Sequence, residues 1–298
     1  MEKVNVVFAT NNDYAPFLIV ALKSLLEHIS IKNFYCIYIF ETDVSDTNKD
    51  IIDRMVKSYS NVEIVYCNTA KIFEENKFFH YTYYSQETYA RLFVPDILDC
   101  DKALYLDCDI IVLADVAELY NIEIGNNLIA GVKNFGLIAG YTFNPKLQEY
   151  YDKMYITKNL DEFVNAGIIV MNLKELRKLN LAQTGLAILN HYKHLLNQDE
   201  DILNRVCAGR ILHVESGWNW RYVVPEQLIY DYRLIKLAQE WAKGLYNHYI
   251  IHYVSKIKPW DEPNMFYGDI WWSWAKKTEI YQDLLNRYFT AHPEKLAK

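Results

Sequence analysis

Residues 103–112, with the sequence Ala-Leu-Tyr-Leu-Asp-Cys-Asp-Ile-Ile-Val, constrain the fold of this chain more than any other stretch. Apolar residues lead up to Asp107 and Asp109, and a second apolar run follows the two carboxylates. Short apolar runs of this kind are typical of a strand buried inside a sheet. Because side chains alternate between the two faces of a strand, we expect both carboxylates on one face, about 6–7 Å apart.

Two carboxylates at that separation repel each other, and burying them without partners is costly. A divalent cation removes the conflict, and the hard oxygen ligands of Asp107 and Asp109 suit Mg²⁺ or Mn²⁺. The alternative interpretation is a turn between two strands that carries two solvated aspartates, which the apolar flanks disfavour. The pair therefore predicts a metal site.

The amino-terminal part of the chain alternates predicted strands with predicted helices. Strands are predicted at residues 4–10, 34–40 and 62–66, and helices at 15–27 and 45–58. This alternation indicates an α/β fold with a mostly parallel sheet covered by helices on both faces. Since ligands bind outside the carboxyl ends of such strands, we expect the polar loop 11–14 and the aspartate pair on one rim.

The rest of the chain continues this pattern. A helix is predicted at 83–98, helical segments within 173–196, and a helix that residues 198–201 open and that runs through 204. Strands are predicted at 128–132, 163–172 and 250–252, and a helical, aromatic-rich segment over the last 35 or so residues. A length of 298 residues with 51% hydrophobic residues allows one large core with an appendage.

Glycine placement excludes two classes of nucleotide site, because the first glycine of the chain is Gly125. The dinucleotide fingerprint and the phosphate-binding P-loop both need glycines early in a strand–helix–strand unit. The diphosphate of a nucleotide bound in this half would need another counter-charge. A metal held by Asp107 and Asp109 is the natural candidate.

Charge and cysteine content limit the molecular partners and the cellular compartment that we expect. A net charge of −7 and a pI of about 5.7 argue against a nucleic-acid partner. The five cysteines are scattered and include no C-x-x-C, which suits a reducing cytoplasm rather than a disulfide framework. The chain opens on a strand pattern and has no apolar run of membrane-span length, so we expect a cytoplasmic protein.

Six short motifs follow one another along the chain. They are Val-Phe-Ala-Thr-Asn-Asn-Asp-Tyr at 7–14, Tyr-Ala-Arg-Leu at 89–92, Leu-Tyr-Leu-Asp-Cys-Asp at 104–109, Asn-Ala-Gly at 165–167, Asp-Glu-Asp-Ile-Leu-Asn at 199–204 and His-Tyr-Val-Ser-Lys-Ile-Lys-Pro-Trp at 252–260. With these six motifs in this order, the chain resembles the family 8 glycosyltransferases. They are retaining enzymes that include bacterial lipooligosaccharide galactosyltransferases and glycogenin.

The resemblance implies a GT-A fold over residues 1–260, followed by a C-terminal aromatic helical segment at 261–298. It also implies transfer of galactose or glucose from a UDP-hexose donor to a saccharide or lipid-linked saccharide acceptor. The expected metal is Mn²⁺, with Mg²⁺ as the alternative. The expected process is the synthesis of cell-surface polysaccharide or lipopolysaccharide.

The resemblance also assigns roles to the metal and diphosphate residues. Asp107, Asp109 and His252 are the expected metal ligands, and Cys108 lies between the two aspartates in the donor site. Lys258 is expected to hold the diphosphate, as a cation near leaving-group oxygens should. Without the motif, His252 would be a histidine satisfied in the core and Lys258 a solvated loop lysine.

Further donor contacts follow from the same motifs. Ala9, Asn11, Asp13 and Tyr14 are expected at the nucleoside, where Tyr14 could stack on the base, and Arg91 is expected at the donor phosphate or sugar. The alternatives are packing of Tyr14 on the neighbouring helix and an ion pair of Arg91 on a helix surface. Family members usually read uracil with an acid at the position of Asn11, whose amide oxygen can still accept the base N3–H.

The expected catalytic residues are Asn165, Asp199 and Glu200. Asn165 and Asp199 would bind sugar hydroxyls, unless they form a strand-end turn and a helix cap. Glu200 stands where the family often has glutamine, so it is either the nucleophile of a double displacement or a carboxylate that stabilises oxocarbenium charge. A structural explanation also stays open, because acids are favoured in the first turn of a helix. A further departure from the family pattern is Ser255, which lies in the loop before Lys258 at a position where family members often have glycine.

The carboxyl-terminal aromatic residues allow two interpretations. The predicted helix carries Trp271, Trp272 and Trp274, followed by Lys276 and Lys277. A helix of this composition can lie at a membrane interface, which would give a peripheral contact with the inner face of the membrane. Alternatively, the aromatic rings pack on the core and the lysines point into water. The acids in the same segment favour the second interpretation.

Two other functions compete with hexose transfer. The first is a haloacid dehalogenase-like phosphatase or phosphotransferase, whose strand-end nucleophile motif resembles residues 106–111. That motif usually opens its domain, and Ile111 departs from it. The second is a non-catalytic relative that binds nucleotide sugars.

Overall fold

The structure is a computed structural model and describes residues 1–76, 78, 85–154 and 160–293. Within these residues the strands are β1 Glu2–Thr10, β2 Asn33–Glu41, β3 Val62–Asn68, β4 Lys102–Leu106, β5 Ile110–Val112, β6 Ile129–Lys133, β7 Val164–Asn172, β8 Ile211–His213 and β9 Ile250–His252. Seven of them form one sheet in the order β3-β2-β1-β4-β7-β6-β8, while β5 pairs with β9.

The large sheet is mixed and mostly parallel, as predicted. β3, β2, β1 and β4 run parallel to one another, and β8 runs parallel to β6. β7 lies antiparallel between β4 and β6. Because Phe8 pairs with Leu106 and Leu106 with Ile168, the carboxyl ends of β1 and β4 meet the start of β7 at one rim.

Helices cover both faces of this sheet. They are α1 Ala15–Leu26, α2 Asp46–Val56, α3 Ala70–Glu75, α4 Val94–Ile97, α5 Val116–Tyr120, α6 Phe135–Phe143, α7 Pro145–Met154, α8 Leu173–Lys178, α9 Leu181–Tyr192, α10 Asp199–Cys207, α11 Glu226–Tyr230, α12 Ile235–Tyr246, α13 Gly268–Ala275 and α14 Tyr281–Ala291. The predicted helices 15–27 and 45–58 are confirmed, with ends shifted by one or two residues.

One predicted helix differs from the structure in detail. For the helix predicted at 83–98, residues 83 and 84 lie outside the described residues, Gln86–Phe93 is a 3₁₀ helix, and α4 completes the segment. The helical segments predicted within 173–196 are α8 and α9, and Asn180 adopts a left-handed φ of 48° between them.

The core lies on both faces of the sheet and follows the alternation of the strands. Val4, Val6 and Phe8 of β1 point into one buried cluster, and Val7 points into the other. In the same way, Tyr105 packs on the face opposite to its neighbours in β4. This period of two is the signal that made the strands predictable.

The prediction of one continuous strand through the aspartate pair is wrong. β4 ends at Leu106 within the large sheet, whereas β5 begins at Ile110 and pairs with β9 in the small sheet. Residues 107–109 therefore turn between two sheets, and the expected same-face spacing along a strand does not apply. The alternative of a turn is correct in backbone geometry, but both aspartates are largely buried, with side chains 25% and 13% exposed.

The C-terminal aromatic residues pack on the core. The ring of Trp260 stacks on Phe17 of α1 with centroids 3.6 Å apart, and Trp271 lies 5.3 Å from Trp260. Trp271 and Trp274 are buried. This packing supports the interpretation that the aromatic rings of the segment pack on the core. The boundary between residues 1–260 and 261–298 and a peripheral membrane contact stay predictions. Among the described residues, no helix combines the length and apolar character that a membrane span requires.

Candidate active site

A cavity of about 240 Å³ opens at the rim where β1, β4 and β7 meet. Twelve of the thirteen predicted site residues line it, namely Ala9, Asn11, Tyr14, Arg91, Asp107, Cys108, Asp109, Asn165, Asp199, Glu200, His252 and Lys258. The thirteenth, Asp13, is exposed and is not part of the lining. The sheet topology thus brings together residues from six separate sequence motifs.

Asp107, Asp109 and His252 converge at the floor of this cavity. The Nε2 atom of His252 lies 3.3 Å from Oδ1 of Asp109 and 3.7 Å from Oδ2 of Asp107. One potential ligand atom from each residue lies within 4.8 Å of the other two. The turn at 107–109 and the adjacent strand β9 create this arrangement.

The orientation of His252 is set by Asn219, which lies in the 3₁₀ helix Ser216–Asn219. The Nδ2 group of Asn219 donates to Oδ1 of Asn165 at 2.8 Å, so its own Oδ1 faces the histidine. The Nδ1–H of His252 donates to that oxygen at 2.9 Å. Nε2 is therefore directed at the two aspartates, which is the orientation in which a histidine could share a metal with them.

Gly167 leaves the space in which these ligands meet. A Cβ atom at this position would lie 2.3 Å from Cε1 of His252 and 2.6 Å from Oδ2 of Asp107. Two carboxylates and one oriented imidazole are a donor set that suits Mn²⁺, and the hard oxygen ligands also suit Mg²⁺. The residues present therefore fit the expected metal.

Lys258 is a partly buried member of the site rather than a solvated loop lysine. Its Nζ lies 2.5 Å from Oδ2 of Asp109 and donates to the carbonyl oxygen of Tyr253 at 2.6 Å. Burial opposes ionisation of Asp109, but Lys258 and then His252 hold the pKa of this carboxyl well below its usual value. Asp109 is accordingly a carboxylate at neutral pH.

Arg91 joins the aspartate pair to helix α10 and is not a surface residue, since it is only 3% exposed. Its Nη2 lies 2.8 Å from Oδ1 of Asp107, and its Nε lies 2.8 Å from Oδ2 of Asp199. Its guanidinium also stacks over Tyr105 at 4.4 Å. Burial disfavours its charge, but Asp107 and Asp199 raise the pKa of Arg91 above its usual value.

Asp199 is the first residue of α10 and is held from the opposite side by Thr88. The hydroxyl of Thr88 donates to Oδ1 of Asp199 at 2.6 Å. Burial raises the pKa of Asp199 to about 6, although the charge of Arg91 opposes this rise. Because the residue before it, Gln198, takes the N-cap position, capping alone does not account for Asp199.

Glu200 is held at both carboxylate oxygens. Its Oε1 accepts from Nδ2 of Asn134 at 2.6 Å, and its Oε2 accepts from Nδ2 of Asn165 at 2.7 Å and from the backbone N–H of Ala166 at 3.1 Å. Glu200 is 8% exposed. Burial raises its pKa to about 7, while the positive charge of Arg221 opposes the rise. A carboxyl of this kind changes charge near neutral pH.

Helix α10 is fixed above the start of β7 by two of its own side chains. Oδ1 of Asn204 accepts the backbone N–H of Val164 at 2.8 Å, and Nδ2 of Asn204 donates to the Val164 carbonyl at 2.9 Å. Asp201, buried in the first turn, accepts from two tyrosine hydroxyls at 2.8 and 3.0 Å. These contacts place Glu200 against Asn165.

The loop after β1 forms the other end of the cavity. Tyr14 packs edge-on against Phe17 and Trp260, with centroids 5.2 and 5.9 Å away, and it still lines the cavity. Oδ1 of Asn11 accepts the backbone N–H of Tyr14 at 3.0 Å, while Nδ2 of Asn11 donates to Glu87 at 3.2 Å. Packing on the neighbouring helix, one of the two interpretations of Tyr14, is therefore present.

Cys108 separates the two aspartates and points to β1. Its Sγ donates to the carbonyl oxygen of Ala9 at 3.2 Å. Burial raises the pKa of the Cys108 thiol well above its usual value. The thiol is neutral at physiological pH, so it adds no third negative charge beside Asp107 and Asp109.

Sequence analysis gave no role to several residues that the structure places in or beside the site, among them Glu87, Thr88, Asn134, Asn219 and Arg221. Asn134 follows β6 directly, so the rule that site residues lie at strand ends could have found it. Asn219 lies in a short 3₁₀ helix outside the predicted elements and carried no such signal.

Comparison with known proteins identifies the family of this chain. The model of glycosyl transferase family 8 matches residues 5–263. Glycosyltransferase GlyA of Streptococcus pneumoniae serotype 4 is 27% identical over 275 residues, which cover 91% of this chain and 34% of that protein. Across three curated relatives, the matched residues span 34% to 64% of the relative's length.

Two solved structures share the fold. The bifunctional glycosyltransferase WbbM aligns with a TM-score of 0.84 and 25% identity over 96% of this chain and 52% of that chain. The galactosyltransferase LgtC, solved in complex with donor and acceptor sugar analogs, aligns with a TM-score of 0.76 and 23% identity over 93% of this chain and 96% of that chain. The predicted GT-A fold is confirmed, and the chain belongs to the family 8 glycosyltransferases.

Proposed function

We propose that the protein transfers a hexose, galactose or glucose, from a UDP-hexose to a saccharide acceptor, with retention of anomeric configuration. The observation that carries this proposal is the convergence of Asp107, Asp109 and His252 in the cavity that also contains the buried carboxylate of Glu200. A nucleotide diphosphate needs positive charge, and this site offers a metal-binding cluster in place of a glycine-rich loop.

The proposed metal is Mn²⁺, held by one carboxylate oxygen each from Asp107 and Asp109 and by Nε2 of His252. Bound there, it would act as a Lewis acid that neutralises charge on the departing diphosphate. Lys258 lies within contact of Asp109 and is positioned to offer its ammonium to the same phosphate oxygens.

Arg91 and Asp199 serve the sugar end of the donor in this proposal. Arg91 holds Asp107 and Asp199 in fixed positions through contacts of 2.8 Å on each side. Asp199 and Asn165 line the cavity and present hydrogen-bonding groups to sugar hydroxyls. Such a rigid, buried constellation positions a donor without reorganisation during the reaction.

Glu200 acts as an electrostatic stabiliser of the positive charge that develops on the sugar. The supporting observation is that both of its carboxylate oxygens already accept hydrogen bonds from protein groups. A carboxylate held by three donors is oriented and less nucleophilic than a free one, whereas its negative charge still favours an oxocarbenium-like state. The acceptor then attacks from the face that the diphosphate leaves, which preserves the configuration.

The acceptor side of the proposal is a saccharide, free or lipid-linked, in cell-surface polysaccharide or lipopolysaccharide synthesis. Residues 1–260 would form the catalytic domain and residues 261–298 an appendage that supports it through Trp271.

A panel of nucleotide sugars, titrated by calorimetry with Mn²⁺, tests the donor proposal. We expect binding of UDP-galactose or UDP-glucose that disappears when Mn²⁺ is chelated, together with slow Mn²⁺-dependent release of UDP. Hydrolysis of a simple phosphomonoester without any nucleotide would favour the phosphatase alternative. Donor binding without hydrolysis or transfer would favour the non-catalytic alternative.

A further inference from the structure

Glu87 is a buried carboxylate beside the loop after β1, and the proposed reaction gives it no role. It is 6% exposed, and it lines the cavity next to Asn11 and Tyr14. Its Oε1 accepts a hydrogen bond from the Thr42 hydroxyl at 3.0 Å, and its Oε2 accepts one from Nδ2 of Asn11 at 3.2 Å. Glu87 accepts both of these hydrogen bonds.

Among the residues that the structure describes, these two hydrogen bonds leave part of the carboxylate without a partner. A carboxylate offers about four lone-pair sites. The Thr42 hydroxyl and the Asn11 amide occupy two of them. A ligand that enters this end of the cavity with an N–H group would therefore meet a carboxylate acceptor.

The orientation of Asn11 strengthens this conclusion. We expected its amide oxygen to accept the N3–H of uracil; that oxygen already accepts the backbone N–H of Tyr14 at 3.0 Å, which leaves one of its two lone pairs for a ligand. Its NH₂ group is directed to Glu87, and the second hydrogen of that group is free to donate. At this end of the cavity Asn11 thus offers a donor, and Glu87 offers the acceptor.

We infer that Glu87 accepts the N3–H of the uracil base and makes the protein select UDP over CDP. This inference rests on the proposed function, because it needs a nucleotide in the cavity. The uracil edge presents an N3–H flanked by two carbonyl oxygens, which complements a carboxylate beside an amide N–H. Cytosine has a bare lone pair at N3, and this lone pair would face the negative charge of Glu87.

The test compares UDP and CDP binding to the wild type and to Glu87→Gln by calorimetry in Mn²⁺. Glutamine keeps the shape, removes the charge, and can donate to N3 of cytosine as well as accept from N3 of uracil. Since a hydrogen bond to a charged group is worth about ten-fold to 100-fold in affinity, we expect the ratio of the two dissociation constants to fall by at least about ten-fold. Thr42→Val is the matched control, because it removes one donor and retains the carboxylate.

Three outcomes separate the explanations. A Glu87→Gln variant that binds both nucleotides more weakly but keeps the UDP-to-CDP ratio would overturn the inference, since Glu87 would then only support the loop. Loss of discrimination in Thr42→Val as large as that in Glu87→Gln would also overturn it. A wild type that does not bind UDP with Mn²⁺ would instead refute the proposed function itself.

Discussion

The Nδ2 group of Asn219 lies 2.8 Å from Oδ1 of Asn165, and this contact joins the candidate metal site to the candidate catalytic carboxylate. On one side Asn219 accepts from Nδ1–H of His252, and on the other Asn165 donates to Glu200. The backbone N–H of Gly167 donates to Oδ1 of Asn165 at 3.2 Å, and this contact fixes the orientation of the Asn165 amide and the direction of the other hydrogen bonds in the series. The orientation of His252 is a consequence of that direction.

Asn219→Ala should therefore weaken metal binding without removing a ligand. Loss of the hydrogen bond to Nδ1 frees the ring of His252 to rotate or change tautomer, and such changes weaken metal affinity by about ten-fold to 100-fold. Calorimetry of Mn²⁺ in the presence of UDP measures this loss. Asn61→Ala is the control, because Asn61 is also buried and bonded, to the carbonyl oxygens of Ser30 and Asn33. An equal loss of Mn²⁺ affinity in both variants would argue against a specific role for Asn219.

Gly167→Ala should disrupt the same site by crowding. The added methyl group would lie 2.3 Å from Cε1 of His252, so the histidine or Asp107 has to move. We expect Mn²⁺-dependent donor binding to fall by at least about ten-fold, while the melting temperature changes by only a few degrees. Gly140→Ala is the matched control, because its nearest neighbour is a Leu147 methyl group at 3.5 Å. Donor binding that is unchanged in Gly167→Ala would show that the ligands do not need their present positions.

Glu200→Gln distinguishes the two catalytic roles of Glu200. Loss of a covalent nucleophile should lower turnover by several orders of magnitude while donor binding persists. Loss of electrostatic stabilisation alone should lower turnover by about ten-fold or less, which is the result we expect. Because the pKa of Glu200 is about 7, the wild-type turnover should rise as pH increases through neutrality. The same rise should be missing from the Gln variant, and a rise retained in that variant would assign the titration to another group.

The pH dependence of the free energy of unfolding has the opposite sign to the pH dependence of turnover. Burial raises the pKa of Glu200 from its usual 4.5 to about 7, so the folded state binds a proton more tightly than the unfolded state. Its contribution to stability is complete below the unfolded pKa and is lost as pH rises through the folded pKa. The wild type should lose about 3 kcal/mol relative to Glu200→Gln between pH 4.5 and pH 8. Urea unfolding of both proteins in a metal chelator measures the difference, and a difference that does not vary with pH would contradict the burial of this charge.

Periodicity made six of the seven strands of the large sheet predictable, whereas β8 was not predicted, and local sequence pointed to the proposed metal ligands. The alternating core residues of β1 and the apolar flanks of Asp107 and Asp109 are encoded within a few neighbouring residues. The break after Leu106 was not predictable in this way, because Ile110 leaves the large sheet only when β9, nearly 140 residues later, is available to pair with it. A continuous apolar run contains no sign of that change of partner.

The same limit explains the residues that support the site. Asn219 and Glu87 acquire their roles from contacts with His252 and Asn11, which lie 33 and 76 residues away in sequence. A single asparagine or glutamate in a 3₁₀ helix has no periodic signal that would distinguish it from a surface residue. Asn204 is similar, since its double hydrogen bond to Val164 depends on how α10 docks on β7.

The most direct test of the central claim is the affinity for UDP with Mn²⁺ in the Asp109→Ala variant. A single remaining aspartate with His252 cannot hold the ion against water, so we expect Mn²⁺-dependent UDP binding to disappear. Asp101→Ala serves as the control, because its side chain is 74% exposed and lies outside the cavity. Undiminished UDP affinity in Asp109→Ala, measured by calorimetry with Mn²⁺, would contradict the assignment of the whole site.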